Sequence, residues 1–218
     1  EPKLFTKYMD KVKQLCQGER IEHFMQYVSI DSGIAEQAEY IRHGLDYARL
    51  ERNVDQYLTE IPGRNSLTFI ITMNNLNILG LQRLLEKVLE LRKLHSHDYQ
   101  RVWFDTPVLR TPSWQSLQIL TPAYHGIMEN LIKWMKLNQM DEGSDNFVGF
   151  KDYEIQRLER DLEWMKKGKK LTKDYQQKQR ADFYRFFNEY DKRRGTDFLK
   201  TFPQMREFWQ ECKYHAET

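Results

Sequence analysis

Only two cysteines, Cys16 and Cys212, occur in 218 residues, and they sit near opposite ends. Two distant thiols exclude a disulfide scaffold, and a reducing cytoplasm is the simpler setting for them. No window approaches eighteen apolar residues, which excludes a transmembrane helix. There is no secretory leader pattern, and the chain begins with Glu rather than Met, as expected of a processed or excised piece. Net charge is only +2, so bulk electrostatics select no class of partner. Internal repeats, low-complexity tracts, a Walker loop, a dinucleotide fingerprint, a zinc-protease helix and a nucleophile elbow are all missing. What is abundant is aromatic: twelve Tyr, twelve Phe and five Trp, many in the last third. A hydrophobic share of 40% suffices for a core, while 30% charged residues predict a very polar surface.

The stretch Tyr27 to Arg42 organises the rest. Tyr27, Val28 and Ile30 form a short β-favouring run in which Ser29 and Asp31 alternate. Ser32 and Gly33 stop the strand. From Ile34 the apolar period changes from two to about 3.6, through Ala38, Ile41 and Leu45. A strand, a tight polar turn and a helix therefore follow one another, with a hydroxyl and a carboxylate at the strand's exit. In α/β folds ligands bind at such exits, yet Ser and Asp before a helix are also ordinary caps.

The pattern repeats along the first half. A helix is expected over 2–17, with Leu4, Tyr8 and Val12 on its apolar stripe and Gly18 at its end. Strands are expected near 24–30, 67–72 and 101–105. Between the first two lies helical pattern from 34 to about 58, broken near Gly44 and ended by Pro62-Gly63. Met73 to Asn77 reads as a turn with good helix caps, and Leu81, Leu84, Leu85, Val88 and Leu91 mark the next helix. Strands about 35–45 residues apart with helices between them imply right-handed parallel crossovers.

After Thr121-Pro122, a helix start, the alternation ceases. Helical stripes follow at Ile127, Leu131 and Met135, then at Ile155, Leu158, Leu162 and Met165. Further stripes run through Phe183, Phe186, Phe187 and Tyr190 and through Met205, Phe208, Trp209 and Cys212. A loop is expected at Glu142 to Asp145, and irregular chain from Asp191 to Phe202. Residues 1–122 thus read as a β/α unit and 123–218 as a helical region.

Several of these segments resemble radical S-adenosylmethionine (SAM) enzymes. Val28-Ser29-Ile30-Asp31-Ser32-Gly33 with Glu39-Tyr40-Ile41-Arg42-His43-Gly44 is similar to the family's fourth barrel strand and following helix, with Ser32 where Gly is usual. Leu67 to Asn77 resembles the fifth strand, and Trp103 to Pro122 the sixth strand and its loop. Asp191-Lys192-Arg193-Arg194-Gly195-Thr196-Asp197-Phe198 with Thr201-Phe202-Pro203 resembles the C-terminal signature of twitch-domain members. The resemblance implies an α/β fold: a partial β/α barrel of about three parallel strands, followed by a mainly helical C-terminal region. It implies SAM and a [4Fe-4S] cluster as cofactors, with Ser29, Asp31, Arg42, Thr72 and Asn74 as SAM-binding residues. The chain departs from the family in lacking its Cys-x-x-x-Cys-x-x-Cys run. It is then either the C-terminal part of a longer enzyme or a cluster-less homologue. A partial barrel would expose an unpaired strand edge, which favours self-association.

Other readings stay open beside this one. Arg42 could instead pair with Glu39 on its helix, and Thr72 and Asn74 could simply end a strand and cap a helix. His95 and His97 have metal-ligating side chains but no third partner in sequence. The basic run Lys166 to Lys173 suits either a nucleic-acid contact or a solvated helix end. Arg193-Arg194-Gly195-Thr196 could bind an anion or tie the tail to the barrel through Asp191 and Asp197. The alternative function is a non-catalytic α/β–helical module that uses its aromatic and basic C-terminal third to bind a protein or nucleic acid.

Overall fold

In the computed structural model, β1 (Phe24–Ser29), β2 (Asn65–Ile70) and β3 (Val102–Asp105) lie side by side in that order, all parallel. The structure describes residues 2–18, 21–62, 64–141 and 147–218. Gly63 and the loop expected at Glu142 to Asp145 lie outside the described residues. The fold is α/β, with an open three-stranded sheet and a mainly helical remainder.

The first crossover contains α2 (Ala35–Ile41) and α3 (Tyr47–Glu60), and the second contains α4 (Leu81–His95). Both step one strand in the same direction, so right-handed connections place them on the same face of the sheet. The side chains agree: Lys87 of α4 reaches Glu51 of α3 at 3.2 Å, and Phe69 of β2 lies beneath both helices beside Val54, Leu84 and Leu91. The opposite face is less covered at β1, although Ser66 and Thr68 of β2 are buried there. Met25 and Tyr27 of β1 are 42% and 57% exposed there, and Tyr27 stands in register with Thr68 and Trp103.

The two outer strands are finished differently. β3 is sealed by α6 (Asp152–Lys166), whose Arg157 donates to the Phe104 carbonyl, while Arg92 of α4 donates to the Val102 carbonyl. Arg92 is fully buried and forms a two-pronged pair with Glu154 of α6, with Nη2 at 2.6 Å from Oε1 and Nη1 at 3.1 Å from Oε2. Among the described residues no strand pairs with the outer edge of β1. α1 (Pro2–Gln17) reaches that strand where Tyr8 donates to the Gln26 side chain.

The remaining helices are α5 (His125–Leu137), α7 (Lys173–Arg194), α8 (Phe198–Thr201) and α9 (Arg206–Glu217). One turn of 3-10 helix over Pro122–Tyr124 precedes α5. The stretch from Asp191 to Phe202 is not irregular: α7 continues to Arg194, Gly195 turns the chain at φ 65°, and α8 follows. Asp197 caps α8 by accepting from the Lys200 N–H, and Phe198 and Phe202 are buried. The Phe198 ring packs with Phe183, Phe187, Phe202 and Trp209, Phe183 in turn meets Phe208, and Phe202 meets Tyr40 of α2 edge-on at 5.4 Å. The apolar core is continuous from Met9 in α1 to Cys212 in α9.

Candidate functional site

The turn after β1 is fixed by close packing. The Gly33 N–H donates to the Gly80 carbonyl at 3.1 Å, and a Cβ on Gly33 would stand 2.3 Å from the Leu84 backbone nitrogen. Gly33 is thus required by the approach of α4, since its φ is not positive. Ser32 is buried, donates to Gln37 Oε1 and accepts from the Ile34 N–H. It holds the turn together as a local serine hydroxyl commonly does.

Asp31 stands immediately before that turn and is 3% exposed. Arg42, at the end of α2, places Nε 2.6 Å from Asp31 Oδ2. The Nε–H is not aligned with that oxygen, and Asp31 Oδ1 has no hydrogen-bond partner at all. Burial pushes the Asp31 carboxyl above the usual aspartate range, while Arg42 and the Thr72 backbone N–H pull it back. Arg42 does not pair with Glu39, whose carboxylate accepts from the Tyr47 N–H instead. A buried charged acceptor with an unused oxygen is expensive unless something occupies it.

The sheet thus brings Asp31, Arg42 and Thr72 together. Ser29 lies two residues earlier, exposed, on the less covered face. Asn74 is engaged within its own turn. Its Oδ1 accepts from the N–H groups of Leu76 and Asn77, and its Nδ2 donates to the Thr72 carbonyl. Its neighbour Asn75, which the sequence did not single out, is fully buried with Oδ1 unsatisfied.

Cluster chemistry has no support from the donor set. Cys16 lies on α1 and Cys212 on α9, and burial raises both thiols above their ordinary value. Iron–sulfur clusters need several converging thiolates, so these residues do not fit a [4Fe-4S] group. His95 Nε2 stands 3.6 Å from Asp55, and among the described residues no set of three His, Cys, Asp or Glu side chains suits a metal. The basic run is partly spent, since Lys166 pairs with Glu129 at 3.2 Å. Arg193 and Arg194 point to local partners, Glu189 and the Tyr190 ring. Among the described residues no helix is long and apolar enough to cross a membrane.

A second group of polar side chains gathers where β3 ends. Asp105 pairs with Arg157 at 2.9 Å, and beyond it Thr106, Asp161 and Trp164 line a pocket of about 410 Å³. Asp161 left little trace in the sequence, because it sits three residues after Leu158 in an otherwise apolar stripe. No protein-family model, no curated protein and no solved structure matches the chain.

Proposed function

We propose that this chain supplies the SAM-facing part of a radical SAM enzyme, as an incomplete β/α barrel whose cluster is held by residues outside these 218. The observation that carries the reading is the buried Asp31 carboxylate, with Oδ1 unused, beside Arg42 at the exit of a parallel sheet. The same-face crossovers also support it, because closing such a sheet makes a barrel with ligands at the strands' carboxyl ends.

On this reading SAM, once bound, supplies a 5′-deoxyadenosyl radical on one-electron cleavage. The chain's own work is to bind and orient. Asp31 Oδ1, acceptor-only when ionised, takes a hydroxyl or amino hydrogen of the ligand. Arg42 fixes the Asp31 carboxylate and offers its remaining N–H groups to the ligand's carboxylate. Thr72 borders the same mouth, and Asn74 shapes it through the turn it caps. The outer edge of β1 takes a further strand, and without one the chain self-associates there.

The test uses the complete reading frame that encodes the chain, reconstituted anaerobically with iron and sulfide, then given SAM and dithionite. The expected result is 5′-deoxyadenosine from that protein and none from the 218 residues by themselves. Asp31→Ala in the complete protein weakens SAM binding by about tenfold or more, as expected for losing a hydrogen bond to a charged group. A reading frame with no clustered cysteines, or an Asp31→Ala protein that binds SAM like the parent, overturns the proposal.

A further inference from the structure

Three side-chain atoms buried without a hydrogen bond converge on the pocket between the end of β3 and α6: Thr106 Oγ1, Asp161 Oδ2 and Trp164 Nε1. Thr106 is 6% exposed and Asp161 4%. Native interiors leave few such atoms, and three around one cavity call for a cause. Burial pushes the Asp161 carboxyl up to about 6, with the nearby Thr106 hydroxyl and Arg160 favouring its ionised form. Even so, neither the hydroxyl nor Oδ2 is aligned into a bond.

The donor and acceptor chemistry narrows what could fill the space. An indole N–H only donates, so Trp164 faces an acceptor. An ionised carboxylate only accepts, so Asp161 Oδ2 faces a donor. Thr106 can serve either. A single small molecule satisfies all three only if it carries an acceptor and a donor close together. The charge around the pocket decides which acceptor. Arg157 is occupied by Asp105 and the lining Glu163 by Lys166, whereas among the described residues Arg110 and Arg160 make no ion pair, and Lys167 also lines the pocket. Arg110 lies over the Trp164 ring at 5.4 Å, which holds its guanidinium against the same indole that lines the pocket. Guanidinium groups in that setting select oxyanions.

We infer that this pocket binds a small oxyanion bearing an adjacent hydroxyl or ammonium group, with the anion against Arg110, Arg160 and the Trp164 N–H and the donor against Asp161 and Thr106. At about 410 Å³ the space lies within the range of small-molecule sites. The inference stands on this pocket alone and is independent of what occupies the Asp31 mouth.

The experiment is a titration of the isotope-labelled chain, followed through the indole N–H signal of Trp164, assigned by its loss in Trp164→Phe. Glycerate and glycerol 3-phosphate are the two probes, with acetate and fully ionised methyl phosphate as their counterparts lacking the donor. The expected result is a saturable Trp164 shift, with either hydroxylated probe binding about tenfold more tightly than its counterpart. The better of the two tells which of the two anions the pocket prefers. Thr106→Val, which keeps the side-chain shape, should erase the preference for the hydroxylated probes, and Arg160→Gln should weaken all of them. A Trp164 signal unmoved by every probe would mean that water alone fills the pocket, and would overturn the inference. So would a shift that survives both substitutions unchanged.

Discussion

Tyr40 of α2 donates its hydroxyl to Asp191 of α7 at 2.8 Å, across 151 residues of sequence. The contact is reciprocal, because the Tyr190 hydroxyl donates to the Tyr40 carbonyl at 2.6 Å. Asp191 also accepts from the Thr196 hydroxyl and the Phe198 N–H. One carboxylate therefore joins the helix after β1 to the turn that begins the C-terminal aromatic core. Burial and the adjacent carboxylate push the Tyr40 phenol far above its ordinary value, so it stays a donor at any working pH.

Tyr40→Phe removes that donor while keeping the ring among Phe187, Phe198 and Phe202. Hydrogen bonds to charged groups contribute about 1.5–3 kcal/mol. The variant should lose stability in that range in urea denaturation. A cost near zero would show that Thr196 and Phe198 satisfy Asp191 without help.

Much of this architecture is legible in the sequence, because it rests on local periodicity. The apolar run around Leu67 to Ile71 could hardly be anything but an inner strand, and Gly44, at φ 83°, breaks the helical region where expected. The Asp191–Phe202 stretch reads as irregular in sequence because four consecutive polar residues precede Gly195, and the two phenylalanines that bury α8 lie four apart around a helix of only four residues. At the site, the family resemblance groups Asp31 with Arg42 as ligand contacts, but their direct pairing is not legible in the sequence, where Glu39 is the partner that helical spacing offers Arg42. Asn74 could not be separated from Asn75, since which amide caps the turn depends on Trp114 and Gln115, whose carbonyls hold Asn75. The Asp161 pocket needed the distant packing of α6 along β3.

Gly33 and Gly44 offer a controlled contrast. A Cβ on Gly33 would collide with the backbone of α4, whereas one on Gly44 would meet nothing within 4 Å and would only suffer its φ of 83°. Gly44→Ala should cost about 1 kcal/mol, the order of the left-handed backbone penalty. Gly33→Ala should cost several times more and displace the turn that carries Asp31, read as altered amide signals from Asp31 to Leu84. Equal costs would show that the α4 approach relaxes freely.

The Arg92–Glu154 pair should behave as a buried ion pair with no water to share. Both side chains are fully buried, and Arg92 also donates to the carbonyls of Val102 and Gly149. Removing one partner strands the other, at about 3–5 kcal/mol. Glu154→Leu and Arg92→Met should each destabilise by that order, while the double variant should cost clearly less than the two together. Additive costs in a double-mutant cycle would mean that the two charges do not depend on each other.

Asp161 should leave a signature in the pH dependence of stability. Its carboxyl is raised from 3.8 to about 6, chiefly by burial. The folded chain therefore holds this proton more tightly than the unfolded chain does. That preference contributes stability in full below the unfolded value, and the contribution is lost as pH climbs through the interval to about 6. At ~1.4 kcal/mol per unit, the loss by neutral pH is on the order of 3 kcal/mol. Asp161→Asn has nearly the same shape and no proton to lose. Its stability relative to the parent should therefore rise across that interval and level off above it. Urea denaturation of both proteins at several pH values between about 4 and about 7 measures the difference directly. A gap that stays constant with pH would mean that the carboxyl titrates as it does in water, and that Arg160 and Thr106 offset its burial completely.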